Sequence, residues 1–291
     1  MALFRDDTDY THRQEGFGRY KQLISFYGFH WLRLNLLTTA GALPLAAGIL
    51  YAILTSSLLV LLPLSLLGGM ILGPFLAGLV DGIMRGLRDA PGNWWKNYKK
   101  SWGQNWRSSL VPGALLGLFT GIYAFMIYVM SAARVSPTPG TLVMALVSAA
   151  LAVWFNTLYW PQLVLFSQSA VNRRRNAMLF TIKHSVRVLV AVLIQVVWIA
   201  LLVLLAPWTL FAIPFLGFWF PILLAQLRIY ADLNADLRIE EQFIPIEGDP
   251  WAKDSFEEAP EEEDAEPDPM NSGTRHWEAL LRDIEKNKEG R

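Results

Sequence analysis

Residues 58–80, LLVLLPLSLLGGMILGPFLAGLV, carry no charge, and the stretch that follows, 81–107, DGIMRGLRDAPGNWWKNYKKSWGQNWR, carries six cations and four tryptophans. As a helix rising 1.5 Å per residue, the first covers about 34 Å, enough to cross a hydrocarbon core of roughly 30 Å. The second has the composition of a membrane boundary, where tryptophan rings sit at headgroup level and cations stay in water. Working outward, five more apolar segments of similar length appear at about 34–54, 109–130, 141–165, 186–206 and 209–229. The sequence therefore predicts an all-α, six-span transmembrane helical bundle.

The connections fix its direction. The connection after the second span holds six Lys and Arg, and the one after the fourth holds five (Arg173, Arg174, Arg175, Lys183, Arg187). The other three hold none, Arg134 alone, and none. Cytoplasmic loops carry the excess of Lys and Arg, so both termini are expected in the cytoplasm and the protein in the plasma membrane. A five-span reading would put the two basic connections on opposite sides and is rejected.

Composition agrees. A chain that is 53% hydrophobic with twelve tryptophans is too apolar for a soluble domain of 291 residues. Its zero net charge conceals two halves. Residues 1–239 hold 19 Lys and Arg against 8 Asp and Glu, whereas residues 240–291 hold 6 against 17. With no cysteine there is no disulfide framework and no thiolate chemistry.

Four regions follow. Residues 1–33 form a cytoplasmic segment in which Phe17, Tyr20, Ile24, Tyr27 and Trp31 recur at helical spacing among Arg19, Lys21 and Arg33, which predicts an interfacial amphipathic helix. An equally good reading makes it a lead-in to the first span. Residues 34–231 are the membrane domain. Residues 232–273 read as an acidic cytoplasmic linker too poor in apolar surface to order, and the acidic tail is expected to fold back on the basic body. Residues 274–291 predict a short amphipathic helix whose Trp277, Leu280, Leu281 and Ile284 would dock on a partner.

Within the spans the polar groups are few. Asn35, Asn156, Gln162 and Gln195, with tyrosines nearby, suit a neutral polyhydroxy ligand, and they suit interhelical hydrogen bonds at least as well. Asp81 and Arg85 lie one helical turn apart, as a gate or coupling pair or as a plain i,i+4 ion pair. Pro63 and Pro74 are expected to kink or interrupt the second span. Gly69 and Gly73, then Gly78 and Gly82, and on the third span Gly113, Gly117 and Gly121, lie four apart, a spacing that lets helix backbones approach within one chain or between copies. Pro74, Pro161 and Pro221 each precede a polar residue by seven positions, a weak repeat suggesting three helical hairpins. Arg173 to Arg175 suit phosphate, but topology alone explains them. The four histidines are scattered, no paired carboxylate or nucleophile motif sits in a span, and no phosphate loop or metal cluster is readable, so no catalysis, cofactor, metal or nucleic-acid role is expected.

The chain resembles the YesL-like family of bacterial membrane proteins. The resemblance rests on Asn35-Leu36-Leu37, Leu43-Pro44, Gly73-Pro74 with Asp89, and Trp95-Lys96 through Asn105-Trp106-Arg107 before Gly113, over about residues 25–235. It implies a helical membrane protein often encoded beside carbohydrate uptake and breakdown systems, and brings no established activity. Two functions follow as expectations. One is an accessory or permease-like component of solute uptake, for a saccharide, with Asn35, Asn156, Gln162 and Gln195 lining a cavity and a sugar-uptake transporter as partner. The other is a non-transporting membrane scaffold or regulator that recruits a cytoplasmic partner through its tail.

Overall fold

A computed structural model describes residues 16–240 apart from 91 and 135, and the tail with Trp277, Leu280, Leu281 and Ile284 lies outside the described residues. α1 (Gly16–Leu54) runs unbroken for 39 residues, so the amphipathic segment and the first span are one helix. At about 58 Å it is nearly twice the hydrocarbon thickness, and its first half projects beyond the apolar layer. α2 (Leu58–Leu87) is also continuous: of the two expected effects of Pro63 and Pro74, a kink or an interruption, the interruption does not occur. α3 (Trp94–Ala132) again has 39 residues, because the tryptophan-rich connection is helix rather than loop from Trp94 onward, started by Asn93, whose side-chain oxygen accepts from the Trp95 and Lys96 amides. α4 (Pro139–Leu165) begins at a proline behind Thr138, which accepts from the Thr141 amide.

The Arg173–Arg175 run is helical too. Ser169 caps α5 (Ala170–Lys183), which buries Arg173, Ala177 and Phe180 and leaves Val171, Met178, Leu179 and Ile182 exposed beside Arg174 and Arg175. Apolar and cationic residues sharing an outer surface are the pattern of a helix lying in the headgroup layer. α6 (Ser185–Leu204) is the fifth span. The sixth is broken: a 3₁₀ turn at Trp208–Phe211, then α7 (Ile213–Leu216), then α8 (Trp219–Leu237). Six helical segments, counting α7 and α8 as one, are long and apolar enough to cross a membrane, and no strand occurs among the described residues.

α2 is the centre of the packing. On one side α1 meets it through glycines, Gly41 under Phe75 and Gly68 against the Leu45 backbone. On the other, the Gly69–Gly73 row lies directly on the Gly113–Gly117–Gly121 row. A Cβ on Gly113 would lie 2.5 Å from the Gly69 carbonyl oxygen and 2.8 Å from Gly73 Cα. These rows therefore pack two helices of one chain. Gly78, Gly82 and Gly86 instead receive side chains, from Tyr98, Leu34 and Trp31.

The three-hairpin expectation holds for α1/α2 and α6/α8, which pack side by side. α3 and α4 are tied where Tyr123 donates to the Ala145 carbonyl, 2.7 Å, and elsewhere part around an apolar groove of about 420 Å³ lined by Leu115, Phe119, Leu151, Phe155 and Asn156. Pro74, Pro161 and Pro221 are all buried.

Candidate functional site

The break in the sixth span is where the most buried amide is used. In an uninterrupted helix the Phe218 amide would donate to the Pro214 carbonyl. Here the Asn35 side chain stands between them: Phe218 N donates to Asn35 Oδ1, 2.9 Å, and Asn35 Nδ2 donates to Pro214 O, 2.7 Å. The same side chain accepts from Trp219 N, 3.1 Å, and donates to Ile213 O, 2.9 Å. The Phe215 carbonyl, left over when Trp219 N turns to Asn35, accepts from the Trp219 indole at 2.6 Å. A carboxamide has two N–H groups and two lone-pair positions, and all four are filled. Asn35 is fully buried and has no capacity left for a solute.

Proline explains two further contacts. Pro161 has no N–H for the carbonyl four residues back, Thr157, and Gln226 of α8 donates to that oxygen at 2.8 Å. Pro221 likewise frees the Gly217 carbonyl, which accepts from the Trp198 indole of α6 at 3.2 Å. Where no water competes, an unpaired backbone group costs several kcal/mol, so such partners are structural necessities. Thr157 also accepts from Gln195 at 2.6 Å through its hydroxyl, joining α4, α6 and α8 at one residue. Gln162 donates to Leu158 O and Asn156 to Ala152 O within α4, and Asn156 accepts from the Trp160 indole. Asn35, Asn156, Gln162 and Gln195 thus each make hydrogen bonds within the bundle. Asn156 alone borders the α3–α4 groove.

The pairing of Gln226 with Pro161 gives a double-mutant prediction. Gln226→Leu should cost about 1–2 kcal/mol by orphaning the Thr157 carbonyl. In a Pro161→Ala background the backbone N–H restored at position 161 satisfies that oxygen, and the cost should fall by at least about half. Unfolding temperatures of the four proteins in one detergent decide it; an unchanged cost in both backgrounds would refute the assignment.

Against the stretch of α1 just before Asn35, and on the face carrying the two basic connections, Asp81 and Arg85 form an ion pair, Oδ2 to Nε 2.8 Å. They line a cleft of about 60 Å³ between α1 and the start of α3, floored by Gly78, Gly82 and Gly86, with His30, Trp94, Asn97 and Tyr98 on its walls. Burial, with Arg33 nearby, holds His30 below the usual histidine range. The Tyr98 hydroxyl is buried and makes no hydrogen bond among the described residues. Sequence reasoning found the ion pair and missed His30 and Tyr98, which lie 51 residues before and 17 residues after Asp81 and meet it only through packing.

No family model, curated protein or solved structure matches the chain. The resemblance to the YesL-like family therefore stands on the motifs quoted above.

The same basic face carries two more ion-pair sets with a shared plan. Arg19, near the start of α1, holds Asp89 just past α2 at 2.7 Å. Lys183, His184 and Arg187, before and within the first turn of α6, hold Asp232 and Asp236 at the end of α8, with Lys183 to Asp236 at 2.5 Å and His184 Nε2 to Asp236 at 2.9 Å. In the first and third hairpins a cation near the start of the outgoing helix clasps an aspartate at or just past the end of the returning one. Burial alone would raise the Asp236 carboxyl, but hydrogen bonds from Lys183 and His184 outweigh it and hold it below the usual range. No group of three metal-ligating side chains occurs among the described residues.

Proposed function

We propose that this chain is a non-transporting membrane scaffold or regulator in the plasma membrane, with its basic face in the cytoplasm. The observation that supports this reading best is the use of the membrane-depth amides. Asn35 spends all four of its hydrogen-bonding positions on the α7–α8 backbone, and Gln226 and Gln195 each donate one hydrogen bond to Thr157. The polar groups that a permease would offer a saccharide are those that hold this bundle together. What remains available is the basic face: the projecting ends of α1 and α3, where Phe17, Phe26, Phe29, Trp95, Trp102 and Trp106 are exposed among Lys and Arg, together with α5. Aromatic and arginine side chains are enriched where proteins meet partners. The partner class that the YesL-like resemblance implies is carbohydrate-uptake machinery.

Two measurements test the proposal. Proteoliposomes holding the purified chain should take up labelled mono- and disaccharides no faster than empty vesicles. Saccharide flux that falls on Gln195→Ala or Asn156→Ala would overturn the scaffold reading in favour of a permease. In cells, a photo-crosslinker at Trp102 should capture one defined membrane-transport component from the full-length chain, and less of it from a chain ending at Glu247.

A further inference from the structure

The cleft beside Asp81 is graded in charge and depth. The Asp81 side chain is 5% exposed, at the bottom, and Arg85 is 27% exposed, at the mouth. Arg85 meets Asp81 through Nε, and its two terminal amino groups make no hydrogen bond among the described residues. Those two groups are the part of a guanidinium that grips a phosphate in a fork. Asp81 gives Oδ2 to Arg85, and Oδ1 remains available as an acceptor. The walls are aromatic: Tyr27, Trp31, Trp94 and Tyr98. The cleft opens where α2 passes from uncharged residues to charged ones, the depth at which lipid headgroups lie.

We propose that this cleft binds the headgroup of an aminophospholipid from the adjoining leaflet, its primary ammonium on Asp81 and its phosphodiester on Arg85. Size and charge narrow the class. A volume of 60 Å³ has room for about four to six water-sized groups. An ethanolamine arm, with two carbons, a nitrogen and the ester oxygen, is of that size, and it leaves the phosphate at the mouth where Arg85 is exposed. A choline arm carries three more carbons and no N–H for Asp81. A glycerol headgroup has no cation to meet the carboxylate, and a serine headgroup would bring a second carboxylate against it. The aromatic walls favour a cation at the bottom of the cleft. Tyr98 adds a hydroxyl with no other partner among the described residues. The inference is independent of whether the chain transports or recruits.

The test is lipid titration of the delipidated full-length chain in detergent, read by native mass spectrometry. One molecule of phosphatidylethanolamine should bind at least about tenfold more tightly than phosphatidylcholine, the worth of one charge-assisted contact. The double substitution D81N/R85Q replaces the ion pair by two neutral groups of similar shape that can still hydrogen-bond each other. It should remove the preference and leave phosphatidylglycerol binding at the outer basic surface unchanged. R85K keeps the ion pair and the Asp81 carboxylate but loses the fork, and provides a second reading if the double variant fails to fold; it should weaken ethanolamine and choline lipids by a similar factor and keep the preference. Equal binding of ethanolamine and choline lipids by the native chain, a preference that survives in the folded D81N/R85Q protein, or lipid affinities unchanged in R85K, overturns the proposal. Soluble phosphoethanolamine separates the two sources of the same chemistry. It should displace the lipid only in large excess, and displacement at equal concentration would assign the cleft to a soluble zwitterion instead.

Discussion

Replacing Asn35 by leucine should abolish accumulation of the folded protein, the largest effect expected from any single substitution in the chain. Leucine has the branched shape of asparagine and none of its hydrogen-bonding groups, so the site stays filled while four contacts vanish. The Pro214 carbonyl and the Phe218 and Trp219 amides would be left unpaired, whereas the Ile213 carbonyl would keep the Gly217 amide, 2.8 Å. At about 1–3 kcal/mol for each buried group left unpaired, the sum is comparable with the whole stability of a typical domain, roughly 5–15 kcal/mol. The helix could recover part of this by closing the Phe218-to-Pro214 bond, but that would straighten the sixth span and pull the Trp219 ring from its place beside Trp31, where the centroids are 5.8 Å apart. Asn35→Asp sorts donors from acceptors. It can still accept from both amides but places a negative charge against two carbonyl oxygens, so it should be no better tolerated than leucine. Yield in membranes and unfolding temperature in detergent are the readouts. An Asn35→Leu protein that unfolds within about 2 °C of the native chain, less than 1 kcal/mol for a protein of this size, would show that the break is held by something else.

Why the role of Asn35 escaped the sequence is instructive. Uncharged length counts the spans well, because lipid penalises charge at every residue and so writes a signal about twenty residues long. The break within the sixth span writes none: residues on both sides of Gly217 are equally apolar, and nothing local distinguishes a through-going helix from an interrupted one. An amide at position 35 then reads equally well as a ligand group or as a structural bridge, and only its partners, 178 to 184 positions further along the chain, decide between them. Two of the contacts did have a local sign. A proline inside a span orphans the carbonyl four residues before it, so Pro161 and Pro221 point to Thr157 and Gly217 as oxygens needing outside donors. Which donors serve, Gln226 and Trp198, is tertiary information. The Arg173–Arg175 run, placed in a connection by its charge alone, carried no reading of its local structure. Ser169 supplies a cap, and Ala177 and Phe180 supply a buried stripe that turns the segment into α5.

The glycine rows were legible as close-packing surfaces, although which helices they join was not, and their placement makes the second large effect specific. A Cβ on Gly117 would lie 2.5 Å from Gly69 Cα and 2.8 Å from Gly69 N. Both are backbone atoms within α2, so no side chain can swing aside to make room, and the helices must separate instead. Gly117→Leu should force α2 and α3 toward the roughly 8–10 Å spacing of ordinary helix pairs, losing the contact along the whole Gly69–Gly73 row. Overpacking of a close-packed site costs about 1–3 kcal/mol where neighbours can shift. Here they cannot, so the loss should lie at or above the top of that range, and unfolding in detergent should move down by about 10 °C or more. Because α2 also carries α1, through Gly41 and Gly68, the damage should spread to the cleft beside Asp81. The control lies on the same helix. A Cβ on Gly103 meets nothing within 4 Å, so Gly103→Leu adds the same side chain to α3 at no steric cost and should leave stability nearly unchanged. If both variants behaved like the native chain, the row would face lipid and the central packing described for α2 would be wrong. If both failed equally, the cause would be the added apolar bulk rather than the contact.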